Sequence, residues 1–262
     1  MNLTPGQRFV TGERMVYEVV GPAWETPRHS FHRARKVLWN YRFDTRSLVE
    51  ADADEWLDVL IREPRGPALP GALAFERERV FSLSGASWFP EPIDTLDSPG
   101  LLILADPHAQ RLSEVAGEAL ASPSRVVAFA GELLQLLETL HQAGLVAQGL
   151  DPEDVLIDGE GRWFYLGTDR IALASGPESY RDDLTAWAGL IGGYLSDSAN
   201  SDEVARLREQ VRRCLDPDPS RRPIAVAEWW ASPIGAPPHS KLGLQRALGA
   251  LGRVLGLRGD KP

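Results

Sequence analysis

Two aspartates near the middle of the chain, Asp154 and Asp169, have side chains suited to binding a metal ion. Carboxylate oxygens are the ligands that hard divalent cations such as Mg²⁺ prefer. Asp154 lies in a short polar turn together with Asp151, and Asp169 follows the next apolar segment. Aspartate also favours turns by itself, because its side chain hydrogen-bonds to nearby backbone groups. The sequence therefore leaves two interpretations open: metal ligands or solvated turn residues.

The elements around this turn are helical. Residues 124–143 carry apolar side chains mostly three and four positions apart, start after Ser122-Pro123 and end at Gly144, which predicts a helix. Further helices are predicted over residues 183–195, 202–215 and 225–231. The first hundred residues instead predict strands, at 15–20, 37–42, 56–62 and 101–105, with one amphipathic helix over 72–83. This pattern indicates an α+β fold with a β-rich part followed by a helical part.

Three motifs occur in order in the second part of the chain. They are LHQAGLVAQGLDPEDVLI at 140–157, DLTAWA at 183–188 and CLDPDPSRRP at 214–223. They resemble the catalytic loop, the start of the central buried helix and the closing Asp-Pro-x-x-Arg-Pro motif of protein kinases. The resemblance implies a two-lobed kinase-like fold, with an N-lobe at 1–105 and a C-lobe at 106–231. A Pro-rich linker at 232–240 and an amphipathic tail at 241–262 would follow.

Residues that resemble kinase catalytic positions carry the wrong side chains. These degenerate positions are Ala147, Gln148 and Gly149 for His-Arg-Asp, Asp151 for the loop lysine, Asp154 for the metal-binding asparagine, and Gly167 for the metal-binding aspartate. Phosphoryl transfer needs held phosphates, a bound metal ion and a carboxylate that orients the attacking hydroxyl. Glycine at 149 and at 167 removes that carboxylate and one metal ligand, so the resemblance implies a kinase fold without catalysis. A short slip in the alignment would bring Asp169 to the metal-binding position.

The resemblance also assigns roles in the N-lobe. Residues 21–27 correspond to the glycine-rich loop but hold one glycine and two prolines, and Trp24 would crowd a nucleotide or pack on the lobe. Arg62 and Glu78 correspond to the lysine and glutamate that form an ion pair in active kinases. We expect Arg62 and Glu78 to pair as a vestigial, structural contact, because arginine can keep a carboxylate partner. No ATP, magnesium or other cofactor is expected.

Three further residues are assigned structural roles by the resemblance. Asp183 begins the central-helix motif, and Glu178 of Gly176-Pro177-Glu178 is expected to pair with Arg222 of the closing motif. The segment between Gly167 and Gly176 is too short for an activation segment. The peptide-substrate platform of kinases is therefore expected to be missing.

The amino-acid composition argues against several classes of protein. A net charge of −9 over 262 residues argues against a nucleic-acid-binding face, which needs positive charge. The single cysteine, Cys214, excludes an internal disulfide framework and a multi-cysteine metal site. The first residues have no basic region followed by an apolar run, and no segment has the length and apolar character of a membrane span. We expect a cytoplasmic protein.

The tail has the pattern of a helix that binds a surface. Residues 241–258 place leucines on one face, while Gly249, Gly252 and Gly256 would make an unsupported helix costly. Docking on its own lobe, docking on a partner, membrane contact and disorder all stay open, with membrane contact through 241–258 less favoured than protein contact.

The sequence favours a catalytically inactive pseudokinase that scaffolds or allosterically regulates a protein partner, which could be an enzyme. The alternatives are a nucleotide-binding sensor and a weak phospho- or nucleotidyl transferase that would use Asp154 or Asp169 for metal.

Overall fold

A computed structural model describes residues 3–66, 71–83, 88–97, 100–195 and 201–226. Most of the helix predicted at 225–231, the linker at 232–240 and the tail at 241–262 lie outside these residues. The chain forms two compact units. The first unit comprises Met1–Phe81 and Pro90–Ala109, and the second comprises Ser82–Phe89 and Gln110–Pro262.

The first unit is built on an antiparallel sheet of six strands in the order β1-β2-β3-β6-β8-β7. Its strands are β1 (Arg8–Val10), β2 (Val16–Glu25), β3 (His29–Lys36), β6 (Leu57–Pro64), β7 (Pro92–Leu96) and β8 (Leu101–Ala105). Two more strands, β4 (Trp39–Arg42) and β5 (Ser47–Glu50), form a separate two-stranded hairpin. The strand predicted at 101–105 is confirmed with its bounds, and the one predicted at 56–62 is confirmed as β6, which ends at Pro64.

Alternation along the strands places the apolar core of this unit on one face of the sheet. Val59 and Ile61 of β6 lie on that face, and Leu60 and Arg62 lie on the other. The buried cluster consists of Leu3, Phe9, Tyr17, Val19, Ala34, Val59, Ile61, Leu101 and Ile103. Strand β6 is buried on both faces from Val59 to Glu63. Arg62 is therefore held firmly within the sheet.

The helix predicted at 72–83 is present but changes its hydrogen bonding twice. It starts as α1 (Ala72–Phe75), continues as a π-helical turn over Glu76–Val80 and ends as a 3₁₀ turn over Phe81–Leu83. Glu76 and Val80, about one turn apart, are buried, whereas Glu78 is exposed. The wider π turn lets this segment bury a glutamate beside apolar residues.

The second unit is mainly helical. Its helices are α2 (Leu112–Ala119), α3 (Pro123–Gln142), α4 (Pro177–Gly192) and α5 (Asp202–Cys214). Five short strands lie between or before them: β9 (Gln110–Arg111), β10 (Leu145–Val146), β11 (Val155–Ile157), β12 (Trp163–Tyr165) and β13 (Ala172–Leu173). They form two small sheets, ordered β12-β11-β9 and β10-β13. Among the described residues, no helix combines the length and apolar character needed to cross a bilayer.

Helix α3 confirms the prediction for residues 124–143. The side chain of Ser122 accepts a hydrogen bond from the backbone N–H of Arg125 (3.3 Å), and Pro123 occupies the first helical position, as expected for a capped start. The indole N–H of Trp187 in α4 donates to the carbonyl oxygen of Ala130 in α3 (3.0 Å). This contact joins α3, which carries His141, to α4, which carries Asp183.

Helix α4 begins earlier than predicted. The sequence places its start at Asp183, but the helix starts at Pro177, with Pro177 as its first residue. Proline tolerates that position because its missing N–H would be unsatisfied there anyway. Glu178 consequently lies in the first turn of α4 instead of in a separate anchoring segment.

Candidate functional site

The candidate site is the loop between β10 and β11, where the degenerate catalytic positions lie. Two consecutive residues, Gln148 and Gly149, have positive φ angles of 53° and 109°. Non-glycine residues rarely adopt such values, so the backbone at Gly149 would strain any side chain placed there. This conformation suits the glycine at 149, which offers no carboxylate to the loop.

A single buried carboxylate, that of Asp183 in α4, fixes this loop. One of its oxygens, Oδ2, accepts the backbone N–H of Ala147 (2.8 Å) and Nε2 of His141 (3.0 Å). Its other oxygen, Oδ1, accepts the backbone N–H of Gln148 (3.0 Å). The ring of His141 also packs against Tyr180, with 4.6 Å between ring centroids. Three hydrogen bonds from the loop and α3 converge on one buried carboxylate, which fits the structural role predicted for Asp183.

Arg170 occupies the space where a metal-binding site would be expected. Its side chain forms an ion pair with the buried carboxylate of Asp154, through Nη2 and Oδ2. A Cβ atom built on Gly149 would lie 3.8 Å from Nη1 of Arg170, and one built on Gly167 would lie 3.1 Å from Nη2. The guanidinium thus borders all three positions that resemble the base and the metal ligands of a kinase.

Tyr165 fills the remaining space beside Gly167. A Cβ atom built on Gly167 would lie 2.6 Å from Cζ of Tyr165 and still nearer its hydroxyl oxygen, so any side chain there would collide with the phenol ring. The hydroxyl of Tyr165 donates to the carbonyl oxygen of Gly149 (3.2 Å). Burial raises the pKa of Tyr165 well above its ordinary value, against the lowering effect of the Arg170 guanidinium and with support from nearby acids, so it stays a neutral donor.

Several acidic groups surround the cation of Arg170. Burial by itself would lower the pKa of Arg170, but the phenol of Tyr165 and the carboxylates of Asp154, Asp169 and Asp151 raise it. The guanidinium is therefore a permanent cation among these groups. Within the described residues, no group of three histidine, cysteine or acidic side chains could hold a metal ion.

The other two acids near the loop belong to turns. Asp151 accepts the backbone N–H of Glu153 through Oδ1 (3.0 Å) and caps the 3₁₀ turn Pro152–Asp154. Asp169 lies within the 3₁₀ turn Gly167–Arg170, half-buried. The contact made by Asp151 therefore agrees with its interpretation as a turn residue and not as a metal ligand.

In the first unit, Arg62 pairs with a different glutamate from the one predicted. Nη2 of Arg62 lies 2.5 Å from Oε2 of Glu76, and both side chains are buried. The predicted partner, Glu78, is exposed. Two residues after Glu76, it lies on the opposite side of the helical segment, away from the buried face that Glu76 shares with Val80. Arg62 therefore forms a buried ion pair, as expected, but its partner is Glu76, and the prediction of Glu78 was wrong.

The segment predicted as a degenerate phosphate loop continues the sheet. Strand β2 runs through Gly21 and Trp24 to Glu25, with two register irregularities against β3. The turn comes only at Thr26–His29, where the N–H of Thr26 donates to the carbonyl oxygen of His29 (2.8 Å). Trp24 stacks on Phe31 of β3, with ring centroids 4.8 Å apart. Of the two interpretations of Trp24, packing within its own lobe is the one the contact favours.

The predicted pair between Glu178 and Arg222 does not form. Glu178 is exposed in the first turn of α4 and pairs with Arg181, one turn later. Arg222 donates through Nε to the carbonyl oxygen of Asp216 (2.7 Å). The early start of α4 explains the difference, because it places Glu178 on a solvent-facing helical turn.

The comparisons with known proteins agree with this architecture. Neither the protein-family models nor the curated proteins contain a match to the sequence. A solved structure does match: a divergent kinase of Toxoplasma that lacks the glycine-rich loop and regulates membrane ultrastructure of the parasitophorous vacuole. The identity is 16%, the TM-score is 0.55, and the alignment covers 75% of this chain and 76% of that chain. This chain has a protein-kinase-like fold. The predicted fold class, a degenerate two-lobed kinase-like fold, is confirmed.

Sequence reasoning missed Tyr165 and Arg170, the two residues that fill the kinase-like site. The signal was the placement of a tyrosine two residues before Gly167 and an arginine three residues after it. That spacing alone does not show that both side chains turn back toward glycine.

We expect the ion pair between Arg62 and Glu76 to couple energetically. A double-mutant cycle with Arg62→Met and Glu76→Gln should give a coupling free energy of about 1–3 kcal/mol in denaturant unfolding, because each single change strands a buried charge. The matched cycle with Arg62→Met and Glu78→Gln should give less than about 0.5 kcal/mol. Equal coupling in the two cycles would contradict the assignment.

Asp183→Asn should lower the free energy of unfolding by at least about 2 kcal/mol, since three donors lose a charged acceptor. Asp182→Asn is the control, because Asp182 is adjacent in sequence but its side chain is exposed. This change should alter the free energy of unfolding by less than about 0.5 kcal/mol. Hydrogen exchange should also speed up at the amides of Ala147 and Gln148 in the Asp183 variant alone. Similar stability for both variants would show that Asp183 does not hold the loop.

Gly167→Ala should destabilise the fold by about 1–3 kcal/mol, as overpacking against the ring of Tyr165 requires. Gly159→Ala serves as the control, because no heavy atom lies within 4 Å of a Cβ there. Thermal and urea unfolding measure both variants. A Gly167 variant as stable as the Gly159 variant would mean that Tyr165 does not fill this space.

Proposed function

We propose that this protein is a catalytically inactive pseudokinase that binds a partner protein, either as a scaffold or as an allosteric regulator. In the regulatory case the partner is an enzyme whose activity the pseudokinase controls. The observation that carries the proposal is the ion pair of Arg170 with Asp154, next to glycine at 149 and at 167. Asp154, the acid at a kinase-like metal position, is already paired with a cation.

Metal binding would have to break that pair. Removing one partner of a buried ion pair costs about 3–5 kcal/mol, which weakens a competing ligand by roughly two to four orders of magnitude. A second cost comes from Tyr165, because its ring would have to leave the space beside Gly167. Both costs oppose binding of Mg²⁺ with a nucleotide, and the missing carboxylate at 149 opposes phosphoryl transfer separately.

The loop nevertheless keeps a defined shape. Asp183 holds it through backbone donors, which do not depend on the side chains at 147 and 148. A rigid fold without substrate machinery supports recognition of another protein, since little conformational entropy would be lost on binding. The Toxoplasma kinase of similar fold is a regulator that also lacks a glycine-rich loop. It offers a precedent for regulation, although the likeness itself concerns the fold.

We expect no thermal stabilisation by millimolar ATP with magnesium and no phosphoryl or nucleotidyl transfer above background. A ligand of the native state at a hundred times its Kd would raise the free energy of unfolding by about 2.7 kcal/mol, which a thermal-shift assay detects. An active protein kinase at the same concentration is the positive control.

Two results would contradict this prediction. A magnesium-dependent rise in melting temperature would favour the nucleotide sensor. Turnover that Asp154→Ala or Asp169→Ala abolishes would favour the weak transferase. A second experiment tests for a protein partner by affinity capture from the native host, using the full chain with and without ATP and magnesium. The scaffold proposal expects the same partner under both conditions. Capture that requires nucleotide would contradict it.

A further inference from the structure

The last passage of the chain from the first unit to the second runs through four residues that follow β8. Strand β8 ends at Ala105, the first unit ends at Ala109, and Gln110 opens the last part of the second unit. Gln110 is already the first residue of β9, where it pairs with Ile157 of β11. Residues 106–109, with the sequence Asp-Pro-His-Ala, therefore join two strands directly. We call these four residues the connection.

The backbone of the connection bends at His108. Its φ angle is 50°, in the left-handed region that residues with a side chain rarely adopt. Pro107 has its own φ fixed at about −65° and restricts Asp106 before it to extended conformations. The unusual conformation is therefore concentrated at one residue. Strain of this kind persists only where the surrounding contacts hold it.

The side chain of Asp106 makes the contacts that hold the bend. Its Oδ1 accepts the backbone N–H of His108 (2.8 Å), and its Oδ2 forms an ion pair with Nε of Arg33 on β3 (3.6 Å). Only 6% of this side chain is exposed. The backbone N–H of Asp106 donates to the carbonyl oxygen of Asp58 (3.2 Å), which extends the pairing of β6 with β8 by one residue. Asp106 is thus fixed to two strands while it holds His108.

The imidazole of His108 contributes less to the bend. Its Nε2 lies 3.6 Å from Oδ2 of Asp58, and 70% of the His108 side chain is exposed. Asp58 is also paired with Arg35, whose Nε lies 3.3 Å from Oδ1. Exposed ion pairs stabilise a fold little, because water and salt screen them. The buried carboxylate of Asp106 is therefore the group on which the conformation of His108 depends.

We propose that the connection has two conformations and that the Asp106 carboxylate selects one of them. With Asp106 in place, His108 adopts a positive φ. When that carboxylate is withdrawn, His108 returns to the negative φ that its side chain favours. Hinges in proteins that change shape are a few residues that take up a large change in φ and ψ. In a regulator, a partner that displaced Asp106 would change the path by which the chain leaves β8.

Hydrogen exchange of the full chain, followed by NMR at single amides, tests the proposal. We expect the amide of His108 to exchange at least about tenfold faster in Asp106→Ala, because it loses both its acceptor and its fixed conformation. The amides of β8 should stay within about twofold of their original rates. Asp97→Ala is the matched control and should leave His108 unchanged, since Asp97 is an exposed acid that follows β7 in the same unit.

A second pair of variants leaves Asp106 in place and tests the strain at residue 108. Glycine adopts a positive φ at no steric cost, whereas a β-branched residue almost never adopts one. The melting temperature of His108→Gly should therefore stay within about 2 °C of the original, while that of His108→Val should fall by at least about 3 °C.

Three results would overturn the proposal. One is an exchange rate at His108 that is the same in Asp106→Ala and Asp97→Ala. Another is faster exchange throughout β8 as well as at His108, because Asp106 would then stabilise the end of the sheet and not the conformation of one residue. If Asp106→Ala does not fold, the pair at residue 108 decides. Equal melting temperatures for His108→Gly and His108→Val are the third contradicting result, and the expected difference supports the proposal.

Discussion

The buried carboxylate of Asp183 is the interaction on which the kinase-like site depends. It binds two backbone amides of the loop and the imidazole of His141. A buried carboxylate needs several strong donors to offset its desolvation, and these donors come from the loop and from α3. Because two of the three donors are backbone groups, these contacts do not depend on the side chains at 147 and 148. The loop can therefore keep this conformation with side chains other than those of a kinase.

The second constraint is charge balance around Asp154. A kinase neutralises acids at these positions with a divalent cation held among them. Here glycine stands at 149 and 167, and Arg170 neutralises Asp154, at the position that resembles the metal-binding asparagine of kinases. An isolated buried carboxylate would be costly, so Asp154 needs a cation, and Arg170 supplies it within the fold.

The sequence was sufficient for the parts of the fold that depend on local patterns. Helix α3 follows from its cap, its spacing and its glycine, and β8 from an uninterrupted apolar run. Strand β3, His29–Lys36, was missed because two histidines and three basic residues interrupt its apolar pattern. The choice of Glu76 over Glu78 depended on which side of a π turn faces the sheet. The contacts of Tyr165 and Arg170 depended on side-chain directions that spacing does not determine.

Each unit pairs a buried arginine or acid with a partner from the same unit. In the first unit Arg62 has Glu76, and in the second Arg170 has Asp154. In an active kinase the corresponding positions serve the phosphates and the metal, so part of their charge is satisfied only when nucleotide is bound. A ligand of Asp154 would have to displace Arg170, which is already paired with it. Exposed apolar surface differs from these buried pairs, because its burial on contact with another molecule is still favourable.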